Sequence, residues 1–167
     1  MLTYDIDDLR SSSGTSAKLL LHLWDLWKAE ADDNLLPEER IVRDAWIYDT
    51  ANGNGLCDML VNERYAELSA GLRALRELNS PKLDLYVART SAAFYRVGID
   101  CFDSESIETA ICRCKPLFED LKVAEEPFLQ HLWDGAIIVA AQDYIERHLD
   151  AFRTRATSAR ATGSLNG

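Results

Sequence analysis

No apolar run in this chain approaches the ~20 residues that a membrane-spanning helix needs, which argues against a transmembrane protein. The opening Met1-Leu2-Thr3-Tyr4-Asp5-Ile6-Asp7-Asp8 has neither a basic stretch nor an apolar core, so it does not read as a signal peptide. A cytoplasmic bacterial protein is the expectation. Four cysteines in 167 residues are too few for a disulfide scaffold. With three histidines and no Cys-x-x-Cys, the chain also lacks a zinc-binding pattern. Strand signals are missing too: no alternating β-branched run exceeds a few residues. Positive charge is in short supply, with 18 Lys and Arg against 28 Asp and Glu, a net charge of −10. Such a chain repels phosphate backbones, which excludes direct nucleic-acid binding as a first reading.

What is present is helical periodicity. Leu20, Leu23, Trp24, Trp27 and Ala31 recur at helical spacing and predict a helix from about Thr15 to Asp32. Pro37 suits the first position of a second helix, with Glu38 and Glu39 at the favourable end of its dipole. Ile41, Val42, Ala45 and Trp46 form its apolar stripe, and Asn52-Gly53-Asn54-Gly55 ends it. Leu56 to Leu60 is a short apolar turn that either packs inside or forms a dimer contact. Tyr65, Leu68, Leu72 and Leu75 predict the next helix. Ser80, as N-cap, and Pro81 open another, which carries Leu83, Tyr86, Val87, Thr90 and Phe94 to Gly98. Residues 104–121 keep helical spacing, kinked or split by Pro116. The clearest stripe follows Pro127: Leu132, Trp133, Ala136, Ile137, Ala140 and Tyr144, continuing to His148 and Phe152. The expected fold is all-α, six to seven helices in one compact bundle-like domain over 15–152. An acidic lead covers 1–14, and a flexible tail covers 153–167.

The chemistry-bearing motifs are few. Cys112 and Cys114 stand two residues apart, about 200° around a helix, so they face away from each other and no metal site is expected. His22-Leu23-Trp24-Asp25 and His131-Leu132-Trp133-Asp134 repeat four letters, with His and Asp three apart on one helix face. Two His–Asp acid/base dyads are one reading. Two amphipathic helices, Trp inside and His and Asp outside, are the favoured one, because nothing supplies a nucleophile or an oxyanion donor. The Asn52–Gly55 turn lacks the strand and the Gly-Lys-Ser/Thr ending of a phosphate loop. No catalytic residue, metal or cofactor is therefore assigned.

The acid surplus is uneven. Residues 1–58 hold 12 acids and 5 bases, and residues 100–126 hold 8 and 3, whereas residues 59–99 hold 4 and 6. Neighbours three and four apart on a helix lie ~5–6 Å from each other, close to the phosphate spacing along a DNA strand. The candidate partner-binding acids are Asp32, Asp33, Glu38 and Glu39, then Glu105 and Glu108, then Glu119, Asp120, Glu125 and Glu126. A basic protein, either a DNA-binding regulator or a nuclease, would meet them as a decoy for DNA.

Three stretches of residues 46–94 also carry a resemblance: Asn52-Gly53-Asn54-Gly55-Leu56-Cys57-Asp58-Met59-Leu60, Ala74-Leu75-Arg76-Glu77-Leu78-Asn79-Ser80, and Leu83 to Phe94. The region resembles a bacterial family of all-helical domains of unknown function that includes a DNA-mimic protein. That family pattern runs Asn-Gly-Gly-aromatic-x-x-aromatic, then Ala-Leu-x-x-Ile-Gly-Ala, then a Leu/Ala-rich helix closing on Phe. Phe118-Glu119-Asp120-Leu121, Tyr144 to His148 and Phe152 extend the likeness. Asn54 splits the glycine pair, Leu56 and Leu60 replace aromatics, and Asn79-Ser80 replaces Gly-Ala. The resemblance implies a helical fold, no recognised enzyme activity and, for one member, DNA mimicry.

Overall fold

The computed structural model describes residues 2, 4–98, 105, 107 and 116–153. Among them it is all-α with no strand, and it contains nine α-helices, more than the six to seven expected. These are α1 (Ile6–Ser13), α2 (Ser16–Trp27), α3 (Pro37–Ala51), α4 (Leu56–Val61), α5 (Tyr65–Glu77), α6 (Pro81–Arg96), α7 (Pro116–Glu125), α8 (Leu129–Trp133) and α9 (Ala136–Arg147). Two 3-10 turns, Asp32–Asn34 and Glu126–Phe128, and a last helical turn at 149–153 complete them. No helix among the described residues is long and apolar enough to cross a membrane.

Local chemistry places the helix starts. The Asp5 carboxylate accepts the N–H groups of Asp7 (3.0 Å) and Asp8 (3.3 Å), and Thr15 Oγ1 accepts that of Lys18 (3.3 Å). Pro37, Pro81 and Pro116 each stand first in a helix, where the missing N–H costs nothing. Ser80 precedes Pro81 but makes no side-chain capping bond. The first long helix stops at Trp27 rather than near Asp32, and a turn intervenes before the 3-10 segment.

Helix α3 is the centre. It packs most extensively on α5, and also on α9 and α2, while α7 packs on α6 and α4. Gly71 makes the α3–α5 contact possible, since a Cβ there would overlap the Tyr48 side chain. Leu56, Met59 and Leu60 are buried, so the apolar turn packs inside rather than forming a dimer contact.

The acidic lead is part of the domain and not an appendage. Ile6 of α1 is fully buried, and Arg10 of α1 pairs with Glu146 of α9 at 2.7 Å. Trp27 lies between the Tyr4 ring (6.2 Å) and the Phe152 ring (6.0 Å). Burying Ile6 and covering Trp27 removes enough apolar surface to hold the segment. Arg153 binds Asp7 at 2.9 Å, so the described end of the chain is also tied down. The rest of the expected tail, 154–167, lies outside the described residues.

The long stripe after Pro127 is broken. Gly135, at φ +84°, separates α8 from α9, and its N–H bonds to Leu132 O at 3.0 Å. The helical register restarts at Ala136, which rotates Trp133 out of the stripe. It is 60% exposed instead of buried.

Candidate functional site

The proposed partner-binding carboxylates separate into three kinds. Glu39 and Glu125 are corrections, because neither is on the surface. Glu39 is fully buried; it accepts the Leu36 N–H at 2.8 Å, closing the start of α3, and the Tyr4 hydroxyl at 2.5 Å. Glu125 is 4% exposed and accepts Leu56 N–H (2.8 Å), Asn52 Nδ2 (3.2 Å) and the Tyr86 hydroxyl (3.3 Å). Tyr86 is in turn hydrogen-bonded to Tyr48. A buried charge is tolerated only when paired or well hydrogen-bonded, and three donors supply that here. Burial pushes the Glu125 carboxyl up against the opposing pull of those donors. Burial also holds the Tyr48 and Tyr86 phenols well above their usual range.

This cluster explains the Asn52–Gly55 turn better than a generic helix stop does. Gly55 sits at φ +94°, and a Cβ on it would come within 2.9 Å of Glu125 Oε2. Glycine lets the carboxylate reach the first N–H of α4. The Asn and Gly spacing pointed to a turn, but nothing in the sequence around Glu125 distinguished it from its exposed neighbour Glu126.

The second kind is exposed but already paired. Asp32 binds Arg43 Nη2 at 2.5 Å, and the hydrogen bond from Arg43 lowers its pKa against the opposing effect of desolvation. Arg43 is buried and also takes Asp44 (2.8 Å) and the Glu30 carbonyl (3.0 Å). Asp120 meets Arg96 at 3.4 Å and Glu119 meets Lys122 at 3.5 Å. The third kind is Asp33 and Glu126, exposed and with no cation partner among the described residues. Glu105 is exposed, Glu38 is half-buried, and Glu108 lies outside the described residues.

Glu38 is in the first turn of α3, while Glu125 contacts Asn52 just past its last turn. Fourteen residues of helix put those ends roughly 20 Å apart. Asp32, Asp33 and Glu38 thus belong to the entry of α3, and Glu119, Asp120 and Glu126 to the segment that meets its far end through Glu125. Glu38 also acts on Tyr144 of α9, whose pKa is raised first by burial and then by Glu38 and Glu77.

Neither His–Asp dyad assembles. His22 Nδ1 is 3.0 Å from Ser13 Oγ, and Asp25 binds Lys28 at 2.7 Å. Asp134 accepts Gln130 Nε2 at 2.8 Å. Trp24 stacks on Trp46 at 5.5 Å but is only half-buried where the amphipathic reading put it inside, and Trp133 is mostly exposed. Cys57 donates to the Phe118 carbonyl (3.6 Å), and burial raises its thiol pKa, so it stays protonated. Cys101, Cys112 and Cys114 lie outside the described residues. Among the described residues no group of three His, Cys, Asp or Glu side chains is placed to hold a metal ion.

Three surface hollows accompany these features. One, between α3 and α5, is lined by Arg40, Arg73 and Arg76 with Asp32, Asp44 and Glu77. A second lies at the α1–α2 turn beside Arg10 and Glu146. The third, of about 440 Å³, runs between α9 and the α5–α6 junction, with His131 and Asp134 at one end. No protein-family model, no curated protein and no solved structure matches this chain.

Proposed function

We propose that this chain is a non-enzymatic, acidic protein-binding module that occupies the basic surface of a DNA-binding regulator. Supporting this reading is the sorting of its carboxylates. The two that the fold requires, Glu39 and Glu125, are inside, yet the surplus behind the net charge of −10 remains. Asp33 and Glu126, one from each group, are exposed without a cation partner among the described residues. Two groups that belong to helix ends roughly 20 Å apart suit a partner with two basic patches, as a protein that grips a duplex has.

The test is capture of proteins from a bacterial extract on the immobilised chain, with washes from about 50 mM to about 500 mM salt. DNA-binding proteins are expected to be retained at low salt, released at high salt and displaced by duplex DNA. Asp33→Asn combined with Glu126→Gln is expected to weaken capture without changing the fold. Retention that ignores both salt and duplex DNA would sink the proposal.

A further inference from the structure

The groove between α9 and the α5–α6 junction has an apolar floor and a charged rim. Ala136, Val139, Ala140, Asp143 and Arg147 form one stripe of α9 along it, and Leu78 to Lys82 form the other wall. Two of the floor residues are alanines, which leaves the hollow unfilled. Val139 lines it and is 54% exposed; outside the lining, Leu85 follows Pro81 by four residues on α6 and is 52% exposed, and Trp133, 60% exposed, directly precedes the lining residue Asp134 in the chain. An exposed valine in an apolar-floored groove, with a mostly exposed tryptophan adjoining one of its lining residues in the chain, suits an interaction surface.

The charges identify the occupant. A chain of net charge −10 repels its own copies over most of its surface. A two-fold contact also sets each patch against itself, so a patch of one sign cannot pair. This rim is balanced: Lys82 and Arg147 oppose Asp134 and Asp143. Arg147 is fixed in place by bonds to the Leu78 carbonyl (2.6 Å) and the Asp143 carbonyl (3.3 Å). The hollow between α3 and α5 is also of mixed sign, but none of the exposed large apolar residues lines it.

We propose that this groove is the contact of a symmetric homodimer. Trp133 of each copy enters the groove of the other, and Lys82 of each faces Asp143 of the other. Tryptophan is the side chain most suited to anchor such a contact, since it brings the largest apolar surface at low conformational cost. The helix break at Gly135 serves the contact twice, by turning Trp133 outward and by starting α9 on the alanines that leave room for it.

Sedimentation velocity on the full chain from about 1 to about 500 µM tests this. A species of twice 18.8 kDa is expected to accumulate with concentration. Trp133→Ala should weaken it at least about tenfold while leaving the circular dichroism melt in place, because the ring is exposed. Lys82→Asp and Asp143→Lys should each weaken it, and the doubly reversed chain should recover it. A monomer throughout the range overturns the proposal, whether the groove is open or filled by residues 154–167 of the same chain. So does a dimer that Trp133→Ala leaves unchanged, or a doubly reversed chain that fails to recover.

Discussion

The two His-Leu-Trp-Asp stretches have the same letters and opposite surroundings. At 22–25 the segment is inside an uninterrupted α2, with Leu23 in the core and Trp24 stacked on Trp46 of α3. At 131–134 it is the end of a five-residue helix, with Leu132 still inside and Trp133 in solvent. Both leucines are buried, so the helical face is set the same way in each. The difference is the residue after the motif: Leu26 continues α2, whereas Gly135 stops α8. A tryptophan is thus half-buried or mostly exposed according to whether the helix beneath it goes on.

That contrast extends to the regions around the two segments, and the largest expected effect would break the side where polar and apolar groups are satisfied together. Glu125→Ala leaves the Leu56 N–H, the Asn52 amide and the Tyr86 hydroxyl without their shared acceptor. Loss of roughly 3–5 kcal/mol of stability is expected, measured by urea denaturation, because each buried orphan costs about 1–3 kcal/mol. A loss near zero would mean that α4 is held by packing alone. Next come the tryptophans themselves. Trp24→Ala should cost about 2–3 kcal/mol, below the range for a fully buried ring, and Trp133→Ala should stay within about 0.5 kcal/mol in dilute solution. Equal effects in the same denaturation measurement would erase the comparison. Between the two tryptophans in size, Gly135→Ala forces a side chain into the left-handed region and should cost about 1–2 kcal/mol. A melt no lower than that of the parent chain would show that the helix break does not depend on glycine.

Much of the fold was legible because helical spacing and capping chemistry are local. The proline starts, the helix start near Thr15 and the Asn52–Gly55 stop are each written within a few residues. The core positions Leu68, Leu72, Leu75, Tyr86, Val87 and Phe94 followed from periodicity alone and are buried. Where the reading failed, the deciding partner was distant or a break was overruled by a strong pattern. The stripe across 129–152 outweighed Gly135, although a glycine in that place was the available signal of a stop. Ile6 was assigned to a lead because eight residues of α1 are too short to show a convincing period. The candidate acids were the least legible. Glu125 and Glu126 are neighbours of the same type, and distant partners, Asn52, Leu56 and Tyr86, make one of them internal.

The aromatic stack on Trp27 has a consequence for how the molecule is made. Tyr4 packs against it at a tilt and Phe152, 125 residues downstream of Trp27, stacks on a face. A chain leaving the ribosome from its amino end presents Trp27 early and Phe152 late, so one face of the indole stays uncovered through most of synthesis. Domains are commonly completed as units, and contacts between distant residues are the slow ones. The stack therefore works as a closing clasp, engaged only when residue 152 has cleared the exit tunnel. Nascent chains stalled before that point should carry an uncovered indole and be substrates for chaperones rather than finished domains.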